Sequence, residues 1–301
     1  MPIKLSCLAA LAFVVALIGT PNSNSRGQTK RKAAASVGAQ TVVFVVEKWE
    51  GGEAQIDPVV VVRDGRLTPP PEGLDGDEKT TSSPSSKFIA EFYRPGRQYR
   101  LLFGGAEVGA VEVVREIEPA CVTITASVSV QGPVKLGGEV RALATDSQTL
   151  GKLAHDRRAP TEAERVAALA LARTAYGQKR VPGTLVQKLK TINLTAIDLD
   201  RDGKTELIGS FEIEGRDFAH HALLMIAELK GDSYQSAMTW YHLGVESSAQ
   251  SRRLIDVLDL NNDGTAEVIA MGGYYESHDY LIYQKLRGKW QSVYQGGGGG
   301  C

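Results

Sequence analysis

The chain has 301 residues, with 34 Lys and Arg against 35 Asp and Glu for a net charge of −1. That length supports two domains of ordinary size, each with its own core. The balanced charge removes the field that would draw nucleic acid or an anionic membrane surface, so neither is expected as a partner.

Residues 1–25 open with MPIK, continue as LSCLAALAFVVALIG and end in the turn-forming PNSNS. A basic start followed by an apolar run of about 15 residues is the pattern of a secretory signal peptide. The run falls short of the ~20 residues a spanning helix needs. No membrane span is therefore expected after cleavage near Ser25, and the protein is expected to be secreted, periplasmic or at the cell surface. Cys7 precedes the apolar run and is expected to leave with it. Residues 26–40, RGQTKRKAAASVGAQ, are basic and small with no hydrophobic period, which predicts a disordered leader.

From Thr41 the composition turns β. TVVFVVEKW, PVVVVRDGR, KFIAEFYRP, QYRLLFGG, EVGAVEVVRE and ACVTITASVSV are β-branched or aromatic runs separated by Gly, Pro or Asp-Gly. Read as six strands, they predict a β-sandwich or barrel-like domain over residues 41–150. The Pro/Ser/acidic stretch within residues 66–86 is too long and polar for a tight hairpin and is expected to be a long loop. The boundary is placed in 145–160, ahead of Pro160.

Residues 151–301 begin with a helical signal. Thr161 and Glu164 form a capping box, Val166, Leu169, Ala172 and Tyr176 recur on one face, and Gly177 offers a C-cap. A shorter helix starting at Pro182 or Gly183 is expected to bury Leu185, Val186 and Leu189. From Thr191 the pattern is β again, and it repeats. Asp198, Asp200, Asp202, Gly203 and Glu206 correspond at an offset of 61 residues to Asp259, Asn261, Asp263, Gly264 and Glu267. Further on, ALLMIAELKGDSYQSAM parallels DYLIYQKLRGKWQSVY, so each repeat supplies about four strands, the size of a propeller blade.

The repeated loop has the chemistry of a calcium site. Calcium takes six to eight hard oxygen ligands, and a short loop delivers them by turning alternate residues inward around a glycine. An EF-hand needs its Glu at position 12, where Gly209 and Ala270 stand, so that reading fails in both copies. The pattern Asp-x-(Asp/Asn)-x-Asp-Gly-x-x-Glu between apolar strands instead resembles the FG-GAP and VCBS repeats of integrin-type propellers, over residues 191–301. The resemblance implies two Ca²⁺ sites: Asp198, Asp200, Asp202 and Glu206 with the main-chain oxygen of Lys204, and Asp259, Asn261, Asp263 and Glu267 with that of Thr265. Four carboxylates against three and an amide favour tighter binding at the first loop. Two copies are too few to close a ring of blades. The expected unit is therefore two antiparallel repeats packed on the 161–190 helices, a propeller-like pair in a mainly β protein with a helical insert.

Catalysis has no signature. The five histidines, His155, His220, His221, His242 and His278, carry no HExxH, and no GxSxG occurs. Ser277, His278 and Asp279 are adjacent on a predicted strand, where neighbours point to opposite faces, which argues against a triad. The aromatic-rich C-terminal region, with Trp240, Tyr241 and Trp290, reads chiefly as core; a peptide or carbohydrate platform is the sharper alternative. After signal removal, Cys121 and Cys301 remain, an even count that permits one disulfide. The run QGGGGGC is expected to be a flexible tether reaching ~13 Å, so Cys301 could meet Cys121 or stay free for dimerisation or attachment. The functional expectation is a non-enzymatic, secreted calcium-binding protein whose ions rigidify two β-hairpin loops and so stabilise a protein- or glycan-binding surface, as a monomer or disulfide-linked dimer. The alternative is a secreted hydrolase with structural calcium and an unidentified active site.

Overall fold

The computed structural model describes residues 40–72, 83–117 and 124–300. The expected signal peptide, nearly all of the expected leader, and both Cys121 and Cys301 lie outside the described residues.

The first half is built from β1 (Thr41–Lys48), β2 (Ala54–Arg63), β3 (Arg66–Thr68), α1 (Pro84–Phe92), β4 (Gln98–Phe103), β5 (Ala106–Glu116), β6 (Ala126–Gln131) and β7 (Ala142–Thr145). Six strands run in the order β1, β7, β4, β5, β6, β2, and the β1–β2 pairing closes them into a barrel, with β3 added beside β2. Closure removes the exposed edges that an open sheet of this size would leave. The unbroken apolar run of β1 follows from its position. Val42, Phe44 and Val46 point into the barrel, while Val43 and Val45 point outward into a second core. Both faces are buried, so the alternation that marks a half-exposed strand is absent.

One element differs in kind from its expectation. The KFIAEF part of KFIAEFYRP lies in α1, a helix that ends at Phe92. Ser83 is its N-cap, accepting from the Ser86 amide, and Pro84 occupies the first turn, where its missing N–H costs nothing. Phe88 and Phe92 are four residues apart and so share one helical face. That face plugs the barrel, with the Phe88 and Phe92 rings 6.3 and 6.4 Å from that of Phe44. The expected loop over 66–86 is trimmed at both ends, by β3 and by α1. Strand β7 lies in a stretch whose sequence reads only as an approach to the boundary.

The second half contains α2 (Glu162–Gln178), α3 (Gly183–Val186), β8 (Lys190–Ile197), β9 (Glu206–Glu214), β10 (Ala219–Lys230), β11 (Ser233–Val245), β12 (Ser251–Leu258), β13 (Glu267–Gly273), β14 (Ser277–Leu286) and β15 (Lys289–Gly300). Strands β8–β11 and β12–β15 form two four-stranded antiparallel sheets in simple up-and-down order. The Thr161–Glu164 capping box is present at the start of α2. The buried stripe is Ala168, Ala172, Ala175 and Tyr176, whereas Val166 is 57% exposed, on the side of the helix turned away from that stripe. Gly177 stays inside the helix, and Lys179 is the C-cap.

The layers stack in sequence. One face of β8–β11 (Leu207, Phe211, Leu223, Met225) packs on α2. The opposite face (Ile208, Leu224, Ile226) packs on Leu254, Val257, Val268 and Leu281 of the other sheet. The far face of that sheet (Ile255, Ile269, Tyr280, Ile282) packs on Val43, Val45, Leu102 and Leu143 outside the barrel. Helix α2 and the barrel thus cover the two outer sheet faces on which further sheets could stack, and the stack ends there.

The glycine tail is not a free tether. Strand β15 continues through Gly300, paired with β14 at Tyr280–Gly296, His278–Gly299 and Ser277–Gly300. Gly297, at φ +67°, shows why glycine is needed: a Cβ there would lie 2.7 Å from the carbonyl oxygens of Pro58 and Val59 in β2.

Candidate metal centre

The two acidic loops occupy equivalent places, residues 198–205 between β8 and β9, and residues 259–266 between β12 and β13. Their internal hydrogen bonds repeat with the offset of 61. Asp198 accepts from the amides of Asp202 and Gly203 at 3.2 and 3.0 Å, and Asp259 from those of Asp263 and Gly264 at 3.1 and 2.9 Å. The carboxylate of Asp202 receives the Lys204 amide at 2.8 Å, and that of Asp263 the Thr265 amide at 2.9 Å. The closing glutamates reach back: Glu206 accepts from the Leu199 amide at 2.8 Å and Glu267 from the Leu260 amide at 2.7 Å. Arg201 and Asn262 both take φ near +60°, and Gly203 and Gly264 sit at +82° and +92°. This left-handed conformation turns the loops back on themselves and favours glycine.

In the first loop Asp198, Asp200 and Glu206 each offer a carboxylate oxygen within 4.8 Å of the others. Two oxygens each about 2.4 Å from one ion are at most about 4.8 Å apart, so the three meet the pairwise spacing that sharing one hard cation requires. Burial pushes Glu206 up to about 7, and the charges of Asp200 and Asp198 add to the shift. Glu267 is likewise pushed up to about 7 by burial, then by Asp259 and Asp263. Two buried carboxyls facing other acids favour a cation beside them.

The loops differ in which cations they already meet. Lys285 from β14 places its Nζ 3.2 Å from Asp200 Oδ2 and 3.1 Å from Glu228 Oε1, and Trp290 Nε1 donates to the same Glu228 oxygen at 3.1 Å. Burial opposes the Lys285 charge, but Glu228 and Asp200 outweigh it and hold its pKa above the ordinary lysine value. Asp202 is turned away to Lys204, whose Nζ lies 2.6 Å off. In the second loop the corresponding Asn261 and Asp263 bond each other at 2.9 Å. Among the predicted ligands of the first loop, then, Asp198, Asp200 and Glu206 converge while Asp202 faces its own lysine.

Two anchors escaped the sequence reading. His155 in the linker accepts the Asp198 amide on its main-chain oxygen at 3.0 Å, and its Nδ1 lies 3.0 Å from the Asp198 carbonyl. Lys285 is 85 residues from Asp200, and no local pattern connects them. The remaining histidines have structural partners: His221 Nδ1 meets the Tyr241 hydroxyl at 2.8 Å and His278 Nε2 meets Asp57 at 2.6 Å. Ser277, His278 and Asp279 form no triad, since Asp279 instead accepts from Tyr274 and Gln295. Trp290 is buried, and Trp240 lies under the Arg252 guanidinium at 4.3 Å, which leaves neither ring as an open platform. No helix among the described residues is long and apolar enough to cross a membrane.

No family model matches the chain, and no curated protein or solved structure does either. The likeness to FG-GAP and VCBS repeats therefore stands on the two loops themselves.

Proposed function

We propose that this is a secreted or cell-surface calcium-binding protein in which two ions, one per loop, rigidify the β8–β9 and β12–β13 hairpins. The stiffened sheets then hold a recognition surface for a protein or glycan. The observation that carries this reading is the recurrence of one hydrogen-bonded loop at an offset of 61 residues, with Asp198, Asp200 and Glu206 converging in the first copy. Burial of Glu206 and Glu267 beside other acids supports the reading as well, since a cation there would offset the cost that burial places on each carboxylate. In the same reading the two sheets are blade-like repeats, each a four-stranded meander with its ion loop between the first two strands.

Equilibrium dialysis against ⁴⁵Ca, with native mass spectrometry of the same samples, tests the stoichiometry. Two ions per chain are expected, falling to one when either Asp200→Ala or Asn261→Ala is introduced. A protein that retains no calcium at millimolar free ion would end the proposal.

A further inference from the structure

Strand β11 is an open edge of its sheet. It pairs with β10 on one side, and no strand among the described residues lies on the other. The groups that face outward follow from its end. The Val245 amide donates to the Ser248 hydroxyl, and that hydroxyl donates to the Val245 carbonyl, each at 2.8 Å, so neither main-chain group is spent on β10. Main-chain direction in an antiparallel ladder alternates along the strand, so Leu243, Tyr241 and Thr239 present their N–H and C=O groups to the same open side. No main-chain partner meets these groups among the described residues.

The other edges are defended. An unpaired edge is a template for another chain, and folds blunt it by covering it, charging it or keeping it short. The linker covers β8, where Arg158 and Ala196 exchange both main-chain hydrogen bonds. Strand β12 carries Arg252, Arg253 and Asp256, and Arg157 donates to its Ile255 carbonyl at 2.9 Å. Strand β15 runs against β2 at Gly297, and β3 has only 3 residues. By contrast, the 13 residues of β11, SYQSAMTWYHLGV, contain no Lys, Arg, Asp, Glu or Pro. Its one bulge, at Ala237, leaves residues 238–243 regular. Apolar side chains are exposed at the same edge: Leu243 and Val245 are about half exposed, and Phe218 lies beside the Ala219 that pairs with Val245.

A row of free N–H and C=O groups is complemented by an extended chain. A second β11 is such a chain. Turned end for end, its outward groups match those of the first, and with no charged side chain in the strand no like charges meet across the pair. The pairing is isologous, so it consumes the open edge of both copies and stops at two.

We infer that this chain forms a two-fold dimer in which β11 pairs antiparallel with β11 of a second copy, joining their four-stranded sheets into one continuous sheet. The dimer needs neither a disulfide nor calcium, and the inference goes beyond the ion reading without resting on it.

The test is sedimentation equilibrium of the chain in reductant, with amide hydrogen exchange at low and high micromolar concentration, in calcium and in chelator. A reversible dimer is expected, with exchange across residues 238–243 slowing as concentration rises. Each substitution enters a two-fold interface twice, so Thr239→Lys and Leu243→Lys, both at exposed positions, should each weaken the dimer by about tenfold. Val114→Lys, at a comparably exposed site on the barrel, should leave it intact. Unchanged circular dichroism in the lysine variants separates a lost interface from a lost fold. A chain that stays monomeric at high micromolar concentration, a dimer whose β11 amides exchange as fast as the monomer's, or a dimer as tight in Thr239→Lys would each overturn the inference. So would a monomer whose β11 amides slow only when an alternating Thr-Val peptide is added, an outcome that assigns the edge to a foreign strand. Calcium-dependent melting without a dimer would defeat this inference alone, and a dimer without any calcium response would defeat only the ion reading.

Discussion

The carbonyl of Leu199 accepts the Ala266 amide at 2.8 Å, so the two acidic loops share a hydrogen bond. Leu199 lies between Asp198 and Asp200, its own amide is held by Glu206, and Ala266 immediately precedes Glu267. A peptide ordered by an ion in one loop is thereby a fixed partner for the other. Calcium binding at the two sites is expected to be coupled, which calorimetric titration reads as an isotherm that two independent sites cannot fit.

The order of filling is a separate prediction. Counting carboxylates favours the first loop, but Lys285 already neutralises Asp200 and Lys204 neutralises Asp202, whereas among the described residues no ammonium group pairs with the second loop. The second loop should therefore bind more tightly. Lys285→Met should raise first-loop affinity roughly tenfold, on the scale of one lost charge interaction. Terbium luminescence in the Asp200→Ala and Asn261→Ala backgrounds assigns each step to its loop. First-loop affinity unchanged in Lys285→Met would refute the competition.

A buried ion pair fastens the linker to the second sheet and the barrel. Asp256, fully buried, accepts from Arg157 Nη1 at 2.8 Å and from the Gly104 amide at 3.0 and 3.1 Å. Burial raises its pKa against the lowering influence of Arg157. Arg157→Met leaves that carboxylate without its partner and should cost on the order of 3 kcal/mol in urea unfolding. Arg157→Met with Asp256→Leu should recover much of the loss, because the uncompensated charge is removed as well.

The His278–Asp57 contact sets a pH dependence. Burial opposes the imidazolium, but the hydrogen bond and charge of Asp57, with Glu47 and Asp279, outweigh it and raise the His278 pKa above its ordinary value. A base whose pKa is higher folded than unfolded adds stability that is complete below about 6.5 and is lost as pH rises through the folded value. Asp57 also accepts from the Tyr280 hydroxyl at 2.6 Å, so the cluster spans the barrel and the second sheet. Unfolding free energy should therefore fall as pH rises past neutrality. The slope should flatten in His278→Gln, and an unchanged slope there would contradict the assignment.

What was legible in the sequence followed from local rules. Thr161 and Glu164 mark the start of α2 because a capping box is a contact over three residues, and the two acidic loops repeat because each is a nine-residue motif. KFIAEFYRP was opaque because aromatic and β-branched residues suit a strand as well as a helix; the Ser83–Pro84 start, which settles it, lies outside the apolar run. The glycine tail reads as a tether until β2 is brought near enough to exclude a Cβ at Gly297. Lys285 and His155 were invisible for one reason: their roles depend on partners brought together only by the stacking of barrel, sheets and helices.

Calcium-dependent stability tests the account most directly. The chain should be melted in chelator and in calcium at about 100 times the dissociation constant, beside an Asp198→Ala/Asp259→Ala variant. Two native-only sites then contribute about 5 kcal/mol, on the order of 10 °C in melting temperature. The variant should melt lower in chelator, because Asp198 and Asp259 also hold their own loops through the amides of Asp202, Gly203, Asp263 and Gly264, and calcium should no longer raise its melting temperature. A wild-type melting temperature that is the same in calcium and in chelator would contradict the account.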